Sequence, residues 1–277
     1  MRTCVFIGLT FISCVGLYNS AYAIKPDRNY ILTPDSVNWS YEQLTITTED
    51  NFKLNSWLYS PNSENDKNTV LILAYPDAGN MSYFVYFAWM LAKSGYAVAT
   101  FDYRGFGKSD DFDINPDNLY YTEFSTDLEA VVTAISNKFT HQKIGIWALS
   151  MGTTVTSRAY PKIKNDISFI IGEGYVTDTS YIINRYKEKG KNLTLPESAE
   201  VYSKIIQNIE IPIQIFAASD DDITTTEDAI ELKELLGSNC QIIEYEGQHL
   251  QGFQNQIDEK GFGGWYIEQI DSFLAKN

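Results

Sequence analysis

The chain has 277 residues, of which 36 are acidic and 21 basic, giving a formal net charge of −15. This charge argues against a nucleic-acid partner and against anionic membrane surfaces, because phosphate binding requires a basic face. Hydrophobic residues make up 44% of the sequence, as in soluble globular proteins and unlike disordered chains or membrane bundles.

The N-terminal segment has the pattern of a secretory signal peptide. Arg2 supplies a positive charge, residues 5–17 are mainly apolar, and a small-x-small cleavage site ends at Ala23. The apolar run is too short for a membrane-spanning helix, which needs about 20 residues. We therefore predict a signal peptide over residues 1–23, a secreted or periplasmic protein, and no stable membrane span.

The same segment has a second interpretation, which is lipid anchoring. Residues 11–14 (Phe-Ile-Ser-Cys) resemble a bacterial lipobox, in which Cys14 would carry the lipid. Cleavage after Ala23 would instead leave Cys240 as the one cysteine of the mature chain, so no internal disulfide is expected. One cysteine and two histidines cannot form a zinc cluster, and we expect no metal and no cofactor.

Eight segments rich in β-branched and aromatic residues predict strands. They cover residues 41–48, 52–59, 69–75, 96–101, 143–148, 167–172, 212–217 and 240–245. The first two suit a hairpin, and the later ones are apolar runs, as expected of strands that are buried on both faces.

Helical patterns alternate with these strands. They cover residues 81–94, 122–138, 151–160, 225–237 and 264–275. The alternation predicts an α/β fold with a mostly parallel eight-stranded sheet and helices on both faces. Residues 24–277 would form a single domain, with an irregular lead-in over 24–40 and a small cap insertion around 173–211. Ligands of such sheets bind at the carboxyl ends of the strands.

The sequence Ala-Leu-Ser-Met-Gly at residues 148–152 lies between a predicted strand and a predicted helix. This context is typical of a nucleophile elbow, in which small residues such as Ala148 and Gly152 let the strand and the helix approach closely. Ser150 is therefore the candidate nucleophile, and the N–H of Met151 is a candidate oxyanion donor. A helix N-cap is the alternative role for Ser150.

A serine hydroxyl needs a base that takes its proton, and the chain contains two histidines. His141 precedes the strand that leads to Ser150, so it is expected at the opposite end of the sheet. His249 follows the last predicted strand, on the same side as Ser150. We therefore predict that His249 is the base.

A catalytic histidine also needs a carboxylate that orients it and stabilises the imidazolium. Three consecutive aspartates, Asp220, Asp221 and Asp222, follow the seventh predicted strand. Any of the three is a candidate for this role. A divalent-cation site is disfavoured, because consecutive side chains point in different directions.

The order serine, aspartate, histidine resembles that of the α/β-hydrolase superfamily. The likeness extends over nearly all of the mature chain: residues 47–54 are similar to the family's opening hairpin, and residues 102–109 to the loop after its fourth strand. By position, the resemblance implies that Asp221 is the acid, with Asp220 and Asp222 as alternatives.

The resemblance also implies a second oxyanion N–H after the third strand. By position this donor is Asp77. The family usually has His-Gly where this chain has Tyr75-Pro76, and a carboxylate beside an oxyanion is unfavourable unless it points away.

The nearest group within the superfamily is the small-cap serine hydrolases. Membership would imply an exported enzyme that cleaves carboxylic ester or thioester bonds through an acyl-enzyme, most simply a carboxylesterase. Its partner would be a small-molecule or acyl substrate, and its oligomeric state is left open. A serine peptidase on the same fold and a non-catalytic binding protein are the alternatives.

Overall fold

A single sheet of eight strands forms the centre of the molecule. In the computed structural model, which describes residues 23–198 and 200–277, these strands are β1 (Tyr41–Thr47), β2 (Lys53–Tyr59), β3 (Thr69–Ala74), β4 (Ala97–Phe101), β5 (Lys143–Leu149), β6 (Phe169–Glu173), β7 (Ile213–Ala218) and β8 (Cys240–Tyr245). Their spatial order is β8-β7-β6-β5-β3-β4-β2-β1. Strand β2 pairs antiparallel with β1 and β4, and the other pairs are parallel. The prediction of a mostly parallel eight-stranded α/β sheet is confirmed.

Helices flank this sheet. They are α1 (Val85–Lys93), α2 (Tyr121–Lys138), α3 (Met151–Ile163), α4 (Thr179–Glu188), α5 (Glu200–Ile206), α6 (Thr226–Leu236), α7 (Ile257–Lys260) and α8 (Gly264–Leu274). Short 3-10 turns cover Pro34–Val37, Met81–Phe84, Gly237–Asn239 and Gly252–Gln254. The helix predicted over 81–94 is thus divided into a 3-10 turn and α1, and the Asn80 side chain caps the start of the turn by accepting the Ser82 N–H. Helices α4 and α5 lie in the segment 173–211, where the sequence predicts a cap insertion.

Burial explains the apolar runs of the central strands. Every residue of β3 is buried, as is every residue of β7, whereas edge strand β1 is largely solvent-accessible. Strand β6 ends at Glu173 rather than at the predicted Gly172, because Glu173 still pairs with Leu149 of β5. Its acidic side chain is 3% exposed, so a carboxylate ends an otherwise apolar buried strand.

The N-terminal lead-in contains a pairing that the sequence did not predict. Residues Lys25–Pro26 form a two-residue parallel ladder with Ala78–Gly79, just after β3. The Lys25 N–H donates to the Asp77 carbonyl at 2.9 Å, and the Asp27 N–H donates to the Gly79 carbonyl at 2.8 Å. The Asn80 side chain also donates to the Asp27 carbonyl, at 2.8 Å. The lead-in therefore fixes the loop that contains Asp77.

A buried cluster of charges stabilises the loop after β4. Arg104, which is 2% exposed, donates from Nε to Asp127 Oδ1 at 2.9 Å and from an amino group to Asp50 Oδ2 at 2.6 Å. The Arg104 backbone N–H donates to the same Asp127 carboxylate at 2.8 Å, and the guanidinium lies 4.1 Å from the centre of the Phe52 ring. Both charges of the Arg104–Asp127 pair are therefore enclosed by partners of this chain.

The predicted signal peptide lies outside the described residues except for Ala23, and Cys14 with the lipobox lies wholly outside them. In the part of the chain that the structure describes, none of the helices combines the length and the apolarity needed to span a bilayer. Cys240 is buried as a free thiol.

Candidate active site

Ser150 lies in a sharp turn between β5 and α3. Its φ of 48° and ψ of −117° are rare for a residue with a Cβ, and such a conformation costs on the order of 1–3 kcal/mol. Gly152 permits the turn, because a Cβ at this position would lie 1.9 Å from the Ala74 carbonyl oxygen of β3. The elbow predicted from the sequence therefore has the required local geometry.

Hydrogen bonds on both sides hold Ser150 in this conformation. Its N–H donates to the Glu173 carbonyl at 2.9 Å, which ties the turn to β6. Its carbonyl accepts the Thr153 N–H at 2.8 Å and the Thr153 hydroxyl at 2.7 Å. The backbone strain is thus offset by bonds that also fix the direction of the hydroxyl group.

His249 lies in the loop after β8 and contacts Ser150. Its Nε2 is 2.9 Å from Ser150 Oγ, and its Nδ1 is 2.6 Å from Asp221 Oδ2. A proton on Nδ1, held by the carboxylate, leaves Nε2 as an acceptor for the serine proton. Gly174 makes room for the imidazole, since a Cβ there would lie 2.6 Å from His249 Cε1.

The Asp221 carboxylate is buried and saturated with donors. Oδ1 accepts the N–H groups of Ile223 and Thr224, at 2.8 and 2.9 Å, and Oδ2 accepts the Thr224 hydroxyl at 2.7 Å as well as the imidazole. Burial by itself raises the pKa of Asp221, but the hydrogen bond and charge of His249, with the Thr224 bonds, hold this pKa below its usual value. The carboxylate is therefore kept ionised and rigid.

The other predicted candidates for acid and base lie elsewhere. Asp220 and Asp222 are both exposed, and Asp222 pairs with Lys189 of the cap at 2.8 Å. His141 is exposed just before β5, at the opposite end of the sheet. Among the three aspartates, the structure brings Asp221 into contact with His249.

The two candidate oxyanion donors flank the elbow. Met151 is the first residue of α3, and the first N–H groups of a helix have no intrahelical acceptor. Asp77 is partly exposed in the loop after β3. Burial raises the pKa of the Asp77 carboxyl to about 6, and a bond from its own N–H with the charges of His249 and Lys191 acts in the opposite direction. The carboxyl of Asp77 is thus close enough to sense the imidazole.

Two residues around the site were not predicted as functional. Thr224 follows Asp221 at a spacing typical of side-chain turns, which is a signal the sequence carried. Glu173 is a buried carboxylate at the end of β6, next to the elbow. In the described residues, no cluster of three or more histidines, cysteines or acidic residues is arranged to hold a metal ion.

Known proteins resemble this chain in sequence and fold. A family model for serine aminopeptidases of family S33 matches residues 78–189. YNL320W, an uncharacterized membrane protein of Saccharomyces cerevisiae, is 37% identical over 111 residues, which cover 38% of this chain and 38% of the yeast protein. The uncharacterized protein YfhR of Escherichia coli is 26% identical over 261 residues, or 85% of this chain and 81% of YfhR.

The likeness in fold extends over most of the molecule. The esterase Pf2001 of Pyrococcus furiosus superposes with a TM-score of 0.71 at 20% identity, over 91% of this chain and 99% of the esterase. The chain has the α/β-hydrolase fold. The α/β-hydrolase fold that the resemblance implied is confirmed, and the S33 match extends across α1 to α4.

Proposed function

We propose that this α/β-hydrolase is a serine hydrolase in which Ser150, His249 and Asp221 form a catalytic triad. The observation that carries the proposal is the continuous chain of contacts, 2.9 Å from Ser150 Oγ to His249 Nε2 and 2.6 Å from Nδ1 to Asp221. Nucleophile, base and orienting acid are all within hydrogen-bond reach, which is the arrangement that activates a serine hydroxyl.

Acylation follows from this arrangement. Ser150 Oγ attacks the substrate carbonyl carbon while its proton passes to His249 Nε2, and Asp221 stabilises the imidazolium. The tetrahedral intermediate then collapses, the bond to the leaving group breaks, and the imidazolium gives its proton to the departing oxygen or sulfur. The products of this half-reaction are an alcohol or thiol and an acyl ester of Ser150.

Deacylation repeats these steps with water as the nucleophile. His249 takes a proton from the water, whose oxygen attacks the acyl carbon, and the carboxylic acid leaves as the proton returns to Ser150. In both steps we assign the developing oxyanion to the N–H groups of Met151 and Asp77, the latter once it leaves its own carboxyl. The negative charge of the Asp77 carboxylate opposes this role when the carboxyl is ionised.

We propose carboxylic esters as the main substrates and thioesters as the second class. A short cap, with α4 and α5 as its helices, suits small or acyl substrates. The Pyrococcus furiosus protein of similar fold is named an esterase.

A peptidase is the second candidate. The family model that matches residues 78–189 is described as a serine aminopeptidase. In that case the leaving group would be an amine, which takes the proton from His249. The same three residues would do the chemistry.

The first experiment labels the protein with a fluorophosphonate probe, which reacts with an activated serine. The wild-type protein should be labelled at Ser150, and Ser150→Ala should not be labelled. Ser272→Ala, at an exposed position in α8, is the matched control and should be labelled like the wild type. An unlabelled wild-type protein would support a non-catalytic binding protein instead.

The second experiment separates the substrate classes. We expect hydrolysis of p-nitrophenyl acetate and butyrate, with slower hydrolysis of the matched thioesters. Aminoacyl p-nitroanilides should be poor substrates. A higher kcat/KM on the anilides than on the esters would favour the peptidase.

Export is a further part of the proposal. The pattern of residues 1–23 supports secretion or location in the periplasm, and lipid anchoring through Cys14 is the alternative. N-terminal sequencing of the protein recovered outside the cytoplasm should find Ile24 as the first residue. A blocked N-terminus at Cys14 would indicate lipid anchoring.

A further inference from the structure

Glu173 contacts the nucleophile through its backbone. It is the last residue of β6 and pairs with Leu149, the last residue of β5. Its carbonyl accepts the Ser150 N–H at 2.9 Å. One end of the strained turn is therefore attached to Glu173.

The side chain of Glu173 contacts the loop of the base. Oε1 accepts the Tyr245 hydroxyl and the Gly252 N–H, both at 2.7 Å. Tyr245 ends β8 just before His249, and Gly252 follows His249 by three residues. The carboxylate thus holds the His249 loop at both ends.

Tyr245 extends this contact into the loop. Its hydroxyl accepts the Gln251 N–H at 3.0 Å and lies 3.3 Å from the Gln248 carbonyl. Gly252 fits only because it has no side chain, as a Cβ there would lie 2.9 Å from Glu173 Oε1. These bonds fix the backbone on both sides of His249, where Leu250 has a φ of 59°.

The burial of this carboxylate is costly unless it is compensated. Glu173 is 3% exposed, and burial raises its pKa, while the bonds from Tyr245 and Gly252 and the charge of His249 act in the opposite direction. An uncharged acceptor could receive the same two hydrogen bonds. When it is ionised, the carboxylate also adds a negative charge beside the loop that contains His249.

We propose that Glu173 is a positioning residue of the active site, which holds Ser150 through its carbonyl and the His249 loop through its carboxylate, and whose negative charge favours the imidazolium formed during catalysis. The proposal rests on the serine hydrolase function proposed above. It gives this buried carboxylate a role in addition to that of Asp221.

Several charged and titratable groups face His249. Asp221 follows β7, Asp77 follows β3, and Glu173 ends β6. Tyr245 and Tyr266 complete the surroundings of Glu173, and burial raises the pKa of both phenols well above neutrality, so they stay uncharged. Removing the Glu173 charge therefore leaves two carboxylates near the imidazole.

The test follows the rate of Ser150 labelling by a fluorophosphonate against pH, because this reaction needs the base and no knowledge of the natural substrate. Glu173→Gln keeps an acceptor oxygen and removes the charge. We expect the maximal labelling rate to fall roughly three- to tenfold, and the midpoint of the acid limb to shift down by about half a pH unit. With p-nitrophenyl acetate, kcat should fall while KM changes little.

Three further variants separate the effect of the Glu173 charge from the effect of its hydrogen bonds. Tyr245→Phe removes one hydrogen bond to Glu173, and Glu173→Asp withdraws the carboxylate by one methylene while it keeps the charge. Both should lower kcat and leave the acid limb within about 0.2 pH unit of the wild-type midpoint. Glu246→Gln removes an exposed charge next to the same loop and should match the wild type in both rate and midpoint.

The outcomes are distinct. If wild-type Ser150 is labelled but Glu173→Gln has the wild-type rate and midpoint, the role of Glu173 is refuted and the triad stands. If Glu173→Gln does not fold, Tyr245→Phe and Glu173→Asp decide, and wild-type kcat in both refutes the proposal. If the wild-type protein is not labelled at all, the serine hydrolase function and this inference fail together.

Discussion

In two clusters of the molecule, a buried aspartate pairs with a nitrogen-containing side chain. Asp127 pairs with Arg104, and Asp221 pairs with His249. Asp127 is 0% exposed and receives three donors of Arg104, backbone and side chain together. Asp221 is 6% exposed and receives donors from its own loop and from His249. By burial and bonding of the carboxylate alone, the two clusters are alike.

The two clusters differ in the second group that the nitrogen-containing side chain contacts. Arg104 contacts a second carboxylate, that of the exposed residue Asp50, so its charge is neutralised by acidic side chains and meets no reactive group. His249 contacts the hydroxyl of Ser150, a partly exposed residue in a strained turn. A buried ion pair thus indicates chemistry only when its chain of contacts ends on a reactive atom that a substrate can approach.

The largest effect should come from removing the charge of Asp221. Asp221→Asn should lower kcat on p-nitrophenyl acetate by about 10⁴-fold, because the imidazole loses the partner that fixes its tautomer. Asp220→Asn and Asp222→Asn are matched controls one residue away and should keep kcat within about twofold. Three equal small losses would remove Asp221 from the triad.

The Arg104 cluster should respond in stability rather than in activity. Arg104→Ala leaves Asp127 buried without its partner, so the free energy of unfolding should fall by about 3–5 kcal/mol in urea titrations, with kcat largely kept at low temperature. Lys162→Ala removes an exposed lysine, 58% exposed, from Glu49 and Glu129 and should cost less than about 1 kcal/mol. A large loss of kcat in the folded Arg104→Ala variant would contradict the prediction that this cluster acts on stability rather than on activity.

A smaller effect should come from Asp77, which lies near His249 but outside the proposed triad. Burial raises its pKa to about 6, so its carboxyl is ionised above this pH and opposes a nearby oxyanion. Asp77→Asn should therefore raise kcat/KM on a neutral ester roughly fivefold at pH 8, after allowance for solvent screening. The kcat/KM of the variant divided by that of the wild type should be close to one at pH 4.5 and should rise through about pH 6.

The pH-rate profile of Asp77→Asn needs a control for general loss of charge. Asp220→Asn removes an exposed aspartate from a neighbouring loop and should give a ratio near one at all pH values. If the kcat/KM ratio of Asp77→Asn to wild type stays constant with pH, the Asp77 carboxyl does not act through its charge.

The elements that the sequence predicted well are those with a strong local signal. Buried strands such as β3 and β7 are uninterrupted apolar runs, and the turn at Ser150 requires small residues that can be read from the chain. Asp221 could be separated from its neighbours only by its position in the resemblance to α/β-hydrolases, because all three aspartates have the same local chemistry. In the structure, the loop after β7 turns one of them inward and two outward.

The features that the sequence did not reveal depend on distant partners. Lys25–Pro26 is too short and too proline-rich to read as a strand, and it pairs only because the loop after β3 offers an edge. Glu173 is an isolated glutamate in the sequence, and its surroundings come from β8 and the 3-10 turn that follows it. Both features arise from contacts between distant parts of the chain, which form only when the chain folds.

The pairing of the lead-in also has a consequence for the order of events during synthesis. Asp27 meets Asn80 across 53 positions of the chain, and Tyr30 meets Asp102 across 72. Contacts at such separations form late, since long loops must close first. The lead-in emerges from the ribosome early, but its ladder with Ala78–Gly79 needs the loop after β3, and Tyr30 reaches Asp102 only once β4 and the residue after it have been made. The loop with Asp77 therefore reaches its final shape only after most of the first half of the protein exists.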